Sequence, residues 1–192
     1  TMMENAFARY FATQQVPGPL GTRHPAATPF QGFSATDGYF VVALLTDDIA
    51  MWKRFCEVID RSDLAHDPRF STNQGRTDHY VDLERQLRMT FAQNSVAFWL
   101  EALLDAGIPC GPVKDIEQVI EDPQVRHRGM LASIPHKKKG KWIVANTPFK
   151  MGTRVSRPVG PSPALGEHTS EVLHRVLGMT EREGANLRKK GT

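Results

Sequence analysis

A chain of 192 residues, 40% hydrophobic and 23% charged, has the composition of a globular protein and the length to bury a real core. Its net charge of +3 is too mild to mark a nucleic-acid binder, and no apolar run approaches the about 18 residues that a membrane-spanning helix needs. The opening Thr1-Met2-Met3-Glu4-Asn5 sets no basic stretch before an apolar one, so no signal peptide is read, and two cysteines without metal spacing point to a reducing cytoplasm.

In chain order, Met3, Phe7, Tyr10 and Phe11 share one face of a helix over Met2 to Gln14, which Pro17-Gly18-Pro19 ends. That helix starts without a cap, which supports a truncated chain over a natural half-length one. Phe30 to Ser34 and Tyr39 to Leu45 read as strands joined at Thr36-Asp37-Gly38. Asp47 or Asp48 caps a helix over Ile49 to Ile59, and a polar stretch runs from Asp60 to Asn73. Longer helices follow near 75–92 and 95–106, the second closed by Gly107. Ile108 to Val113 reads as a rigid connector. Short helices are expected over Ile116 to Ile120 and from Asp122-Pro123, then strands Met130 to Ile134 and Trp142 to Ala145 around a basic turn. Thr147 to Leu165 is extended and arm-like, Glu171 to Leu177 is helical, and Thr180-x-x-Glu183 is a capping box opening a last helix. The fold class is therefore α+β: a small central domain of helices and short antiparallel strands, flanked by segments that need a further partner to pack on.

The basic runs Lys137-Lys138-Lys139-Gly140-Lys141 and Arg188-Lys189-Lys190 carry no interleaved aromatics and read as a solvated turn and tail. Cys56 falls in the apolar pattern of Trp52, Phe55 and Ile59, and Cys110 has no indicated base beside it. The histidines show no metal-ligand spacing, so no metal is expected. Dinucleotide, P-loop and serine-hydrolase motifs are absent.

Five segments together resemble the family III CoA-transferases, a group that also holds α-methylacyl-CoA racemase. They are Gly21-x-x-His24-Pro25 with Pro29, Phe33 and Asp37-Gly38; Trp52 to Ile59 with Asp67-Pro68-Arg69-Phe70, Asn73 and Arg76; Ala106 to Val113; Asp122-Pro123-Gln124-Val125-x-x-Arg128-Gly129-Met130; and Leu165-Gly166-Glu167-His168-Thr169 with Val172-Leu173. The resemblance implies a Rossmann-like large domain upstream, carrying much of the CoA site and an aspartate nucleophile N-terminal to Thr1. No catalytic residue then lies in this chain. The aspartate carries the acyl group as a mixed anhydride and then CoA as a thioester, which splits one hard transfer into easier steps. Residues 1–26 would be helix and linker from the large domain, 27–146 the small domain, and 147–192 an arm and helices returning to it. The substrates would be an acyl-CoA and a carboxylic acid, with no permanently bound cofactor. The assembly would be an interlocked homodimer, without nucleic acid or membrane. Racemisation of a 2-methylacyl-CoA and a purely non-catalytic assembly role are the alternatives.

Within the chain, Gly21, Arg23 and His24 are the candidate substrate-binding residues. Either they lie near the acyl site, or Gly21 and Pro25 only shape a turn in which His24 bonds to backbone. The racemase branch carries an acidic residue in the Asp47-Asp48 region. By that resemblance Asp48 would be its counterpart, and a helix N-cap at Asp47 or Asp48 is the competing reading. His168 precedes a helix whose amides favour an anion such as a CoA phosphate. The competing reading has Glu167, Thr169 or Ser170 as the cap, with His168 packed on the large domain.

Overall fold

The computed structural model describes residues 4–44, 47–136, 140–152 and 160–189, which fall into two compact units, one running to Lys114 and one from Asp115. The lysines at 137–139, the middle of the arm at 153–159 and Lys190 lie outside the described residues.

In the first unit, α1 (Glu4–Thr13) leads through an irregular stretch to β1 (Phe30–Ser34) and β2 (Tyr39–Ala43). These pair antiparallel, with Ser34 opposite Tyr39 and Phe33 opposite Phe40. The Cys110–Pro112 segment is not a bare connector: it forms β3, which adds to β2 with Val42 opposite Cys110 and Phe40 opposite Pro112. Proline is tolerated there because β3 is an edge strand.

The helices α2 (Ile49–Val58), α5 (Tyr80–Phe91) and α6 (Val96–Asp105) supply the rest of the core. Strand residues Phe33, Phe40 and Val42 meet Trp52 and Phe55 of α2, Leu83, Leu87 and Phe91 of α5, and Trp99 and Leu103 of α6. Phe91 is the hub, with ring centroids 4.9 Å from Phe33, 5.0 Å from Phe40 and 5.2 Å from Trp99. Such edge-to-face and tilted pairs add to plain burial. The Trp99 indole N–H donates to the Phe91 carbonyl at 2.9 Å, so the polar edge of the ring is satisfied.

Two expectations from the sequence are refined. The polar stretch after α2 contains α3 (Ser62–His66) and a 3-10 turn, Pro68–Phe70, which bury Leu64 and Phe70. The helix expected near 75–92 is two: α4 (Asn73–Asp78) and α5, broken at His79, whose φ of −100° and ψ of 27° leave the helical region. Helix ends follow the sequence more closely. Asp48 caps α2, Ser95 caps α6, and Gly107 takes φ +71° just past the end of α6.

The second unit holds α7 (Ile116–Glu121) with an Asp115/Gln118 capping box, and α8 (Pro123–His127) capped by Asp122. Next come β4 (Leu131–His136) and β5 (Gly140–Ala145), which form an antiparallel hairpin, and α9 (Thr169–Leu177) and α10 (Glu181–Lys189). Thr180 and Glu183 form the expected capping box, the Thr180 N–H donating to the Glu183 carboxylate at 2.8 Å.

Candidate functional site

The turn that delivers the chain to β1 is built by Gly21, at φ +63°. The Arg23 N–H donates to the Leu20 carbonyl at 3.2 Å, closing the turn. Thr22 Oγ1 accepts from the Gly32 N–H at 3.2 Å, and the His24 N–H donates to the Phe30 carbonyl at 2.8 Å, so the turn is laced to β1. A Cβ at Gly21 would meet no atom within 4 Å, so Gly21→Ala tests the backbone alone. It is expected to cost about 1–2 kcal/mol, the penalty for an L-residue in the left-handed region. Chemical denaturation reads this directly; an unchanged midpoint would show that the turn does not need positive φ.

His24 is half-buried, and its ring stacks on Phe30 with centroids 4.8 Å apart and planes 9° apart. Its Nδ1 accepts the Ala26 N–H at 3.2 Å. A backbone N–H can only donate, so Nδ1 carries no hydrogen and the neutral ring holds its proton on Nε2. Arg23 points elsewhere: its guanidinium carbon lies 3.8 Å above the Tyr80 ring, a cation–π contact. It borders a cavity of about 300 Å³ formed with residues 77–82. Burial pushes the Tyr80 phenol up, and its hydrogen bond with Glu84 adds to that. Burial also pushes the Glu84 carboxyl up, but hydrogen bonds from Arg88 and Tyr80 outweigh it and hold the group below its ordinary value.

Sequence reading gave no individual role to the residues that hold this turn in place. Asn73, Arg76 and Thr77 lie on one face of α4, at spacings of three and four. Asn73 Oδ1 accepts the Thr28 N–H at 3.0 Å, and its Nδ2 donates to the Ala26 carbonyl at 2.8 Å. The Thr28 and Thr77 hydroxyls meet at 3.0 Å. Arg76, 1% exposed, donates Nε to the Thr28 carbonyl at 2.7 Å and Nη1 to the Phe70 carbonyl at 3.0 Å, while lying over the Trp52 ring. Burial lowers its pKa, and the Asp47 charge opposes that shift. The helical i, i+3, i+4 spacing was the available signal, but the segment it grips lies 45 to 49 residues away in sequence.

Other candidates resolve as follows. Asp48 accepts from the Ala50 and Met51 amides at 2.8 and 3.3 Å, and Asp47 accepts from the Asn73 N–H, so both carboxylates serve as backbone acceptors. The Cys110 thiol is raised by burial, and the fully buried Cys56 is pushed up to about 12 by the same cause. Neither is an activated thiolate. In the second unit His168 itself occupies the N-cap position of α9, without a side-chain capping bond. The Glu167 carboxylate accepts from the Ala164 N–H at 2.7 Å. The His168 ring is exposed and sits 3.3 Å from the Glu171 carboxylate.

Residues 1–169 match the profile of CoA-transferase family III. This chain belongs to that family. Human succinyl-CoA:glutarate CoA-transferase is 28% identical over 184 residues, 96% of this chain and 42% of the human protein. Acetyl-CoA:oxalate CoA-transferase of Acetobacter aceti is 32% identical over 149 residues, 78% of this chain and 36% of that protein. A CAIB/BAIF family protein from Brucella suis has a similar structure, with a TM-score of 0.71 and 28% identity over 88% of this chain and 43% of that one. The chain thus spans less than half the length of these family III relatives. Of the family-like segments, Gly21–Pro25 forms the turn above, Asn73 and Arg76 form its clamp, and Ala106–Val113 closes α6 and adds the edge strand.

Proposed function

We propose that this chain is the C-terminal part of an enzyme that moves CoA between an acyl-CoA thioester and a carboxylic acid, through an acyl-aspartyl intermediate formed upstream of Thr1. The observation that carries this reading is the family match over residues 1–169, joined to relatives whose names pair an acyl-CoA with a carboxylate acceptor such as glutarate, oxalate or mesaconate. Gly21 and His24 are the part of the acyl site that this chain contributes, while Arg23 turns its guanidinium onto Tyr80 and away from them. The clamp from α4 supports this assignment, because it commits three long-range hydrogen bonds, the Arg76 one fully buried, to holding an irregular segment in one path. The flanking segments 1–26 and 147–192 pack on the large domain, and the complete enzyme is a homodimer.

The test compares two proteins. The complete enzyme, supplied with succinyl-CoA and a dicarboxylate acceptor, is expected to exchange CoA. Hydroxylamine added during turnover converts an activated aspartate to a hydroxamate, which mass spectrometry locates. The label is expected upstream of Thr1, and none on any carboxylate of this chain. Labelling of an aspartate or glutamate within residues 1–192 would overturn the placement of the nucleophile. Exchange of an α-proton without CoA transfer would overturn the reaction class.

A further inference from the structure

We propose that His24 acts as a neutral hydrogen-bond donor, through Nε2–H, to the carbonyl oxygen of the bound acyl group. It then serves neither as a general base nor as a cationic carboxylate binder. The inference rests on the transfer function proposed above and assigns one atom within it. Nδ1 is committed to the Ala26 N–H, which places the ring proton on Nε2. The stack on Phe30 fixes the ring plane, and the His24 N–H bond to the Phe30 carbonyl fixes the backbone behind it. Nε2 has no hydrogen-bond partner among the described residues and is not fully buried, so its N–H is left for a group from outside the chain.

The arrangement continues one layer back. Ala26, whose N–H holds Nδ1, is itself held through its carbonyl, on the next peptide unit, which accepts from Asn73 Nδ2 at 2.8 Å. Asn73 also takes the Thr28 N–H, and Arg76 takes the Thr28 carbonyl. A donor that is held before substrate arrives pays no reorganisation when charge develops on the oxygen it faces. In this reaction a carboxylate adds to the thioester carbonyl, negative charge gathers on that oxygen, and the charge returns as the CoA thiolate leaves. His24 gains and loses no proton in this sequence. Asn73 is a positioning residue that acts through the Ala26 backbone, one peptide unit removed from the N–H that meets Nδ1.

Two near-isosteric substitutions separate the two ring nitrogens. In His24→Asn the side-chain oxygen can replace Nδ1 and keep the Ala26 bond, while the outer donor is lost. In His24→Gln the amide nitrogen reaches the Nε2 position and restores that donor. In the complete enzyme, His24→Asn is expected to keep its melting temperature and lose roughly a hundredfold in kcat, the cost of one preorganised donor. His24→Gln is expected to recover about tenfold or more of that loss. Equal kcat for the two variants, whether both normal or both impaired, would overturn the proposal. A second reading needs no turnover: nitrogen NMR of ring-labelled histidine in this chain is expected to show the Nε2–H form at His24, and Asn73→Ala is expected to erode it. A His24 ring protonated on Nδ1 would overturn the inference even if CoA transfer is confirmed. Failure of the wild-type enzyme to transfer CoA would overturn the function reading itself.

Discussion

Replacing Arg76 by Ala is expected to lower the stability of the first unit by about 3 kcal/mol and its melting temperature by roughly 10 °C. Removing a buried cation is not costly by itself, because burial already disfavours the charge. The cost lies in what Arg76 leaves behind. The carbonyls of Thr28 and Phe70 belong to residues 2% and 0% exposed, and each loses its guanidinium donor. A buried acceptor without a partner costs about 1–3 kcal/mol, and two such groups outweigh the desolvation recovered. The guanidinium also fills the space over the Trp52 ring, 4.8 Å from its centroid, and Ala leaves that space empty. Arg76→Met separates these terms, since it restores volume and leaves both carbonyls orphaned. It is expected to recover less than half of the loss in a thermal melt. A Met variant as stable as the native chain would mean that the carbonyls find other partners and that the clamp is dispensable.

Much of this fold is legible in the sequence because local signals dominate where they are strong. The aromatic and β-branched run from Tyr39 marked β2, and the turn at Thr36-Asp37-Gly38 set β1 before it. The starts read at Ile49, Ser95 and Asp122-Pro123 fall within a residue of α2, α6 and α8, which Asp48, Ser95 and Asp122 cap. Local signals failed where tertiary contact overrides them. Cys110-Gly111-Pro112 has poor strand propensity, and it is a strand only because β2 offers it an unpaired edge. Leu64 and Phe70 sit in a stretch that reads as polar loop, yet both are buried, because a single apolar residue per turn suffices in a short helix pressed on a core. The family-like turn at Gly21–Pro25 was recognisable as a motif. The Asn73 and Arg76 clamp was present in the same motif set but had no readable role, since hydrogen bonds to a segment more than 40 residues away leave no local periodicity.

The clamp gives Gly75→Ala an unusual sign. In an exposed helix interior this substitution gains about 1 kcal/mol, because Ala loses less backbone freedom on folding. At Gly75 an added Cβ would stand 2.4 Å from the Arg69 carbonyl oxygen and 3.2 Å from Thr72 Oγ1. The first is a backbone atom of the 3-10 turn, so it cannot swing aside as a side-chain tip would. Moving it drags Phe70, whose ring is fully buried and whose carbonyl holds Arg76. Thr72 Oγ1 is equally committed, since it caps α4 through the Gly75 N–H at 3.0 Å. Overpacking of this kind costs about 1–3 kcal/mol, which exceeds the propensity gain, so the variant is expected to melt several degrees lower. Gly184→Ala in α10 is the matched control. Its Cβ would meet only the Leu173 Cδ1 atom, at 3.6 Å, an ordinary contact, so helix propensity decides and α10 is expected to gain stability. Because α4 also sets the path of residues 26–28, Gly75→Ala in the complete enzyme is expected to lower turnover per folded molecule. A Gly75→Ala chain that melts higher than the native one would show that the 3-10 turn yields freely, and that α4 is not the rigid frame on which the His24 turn depends.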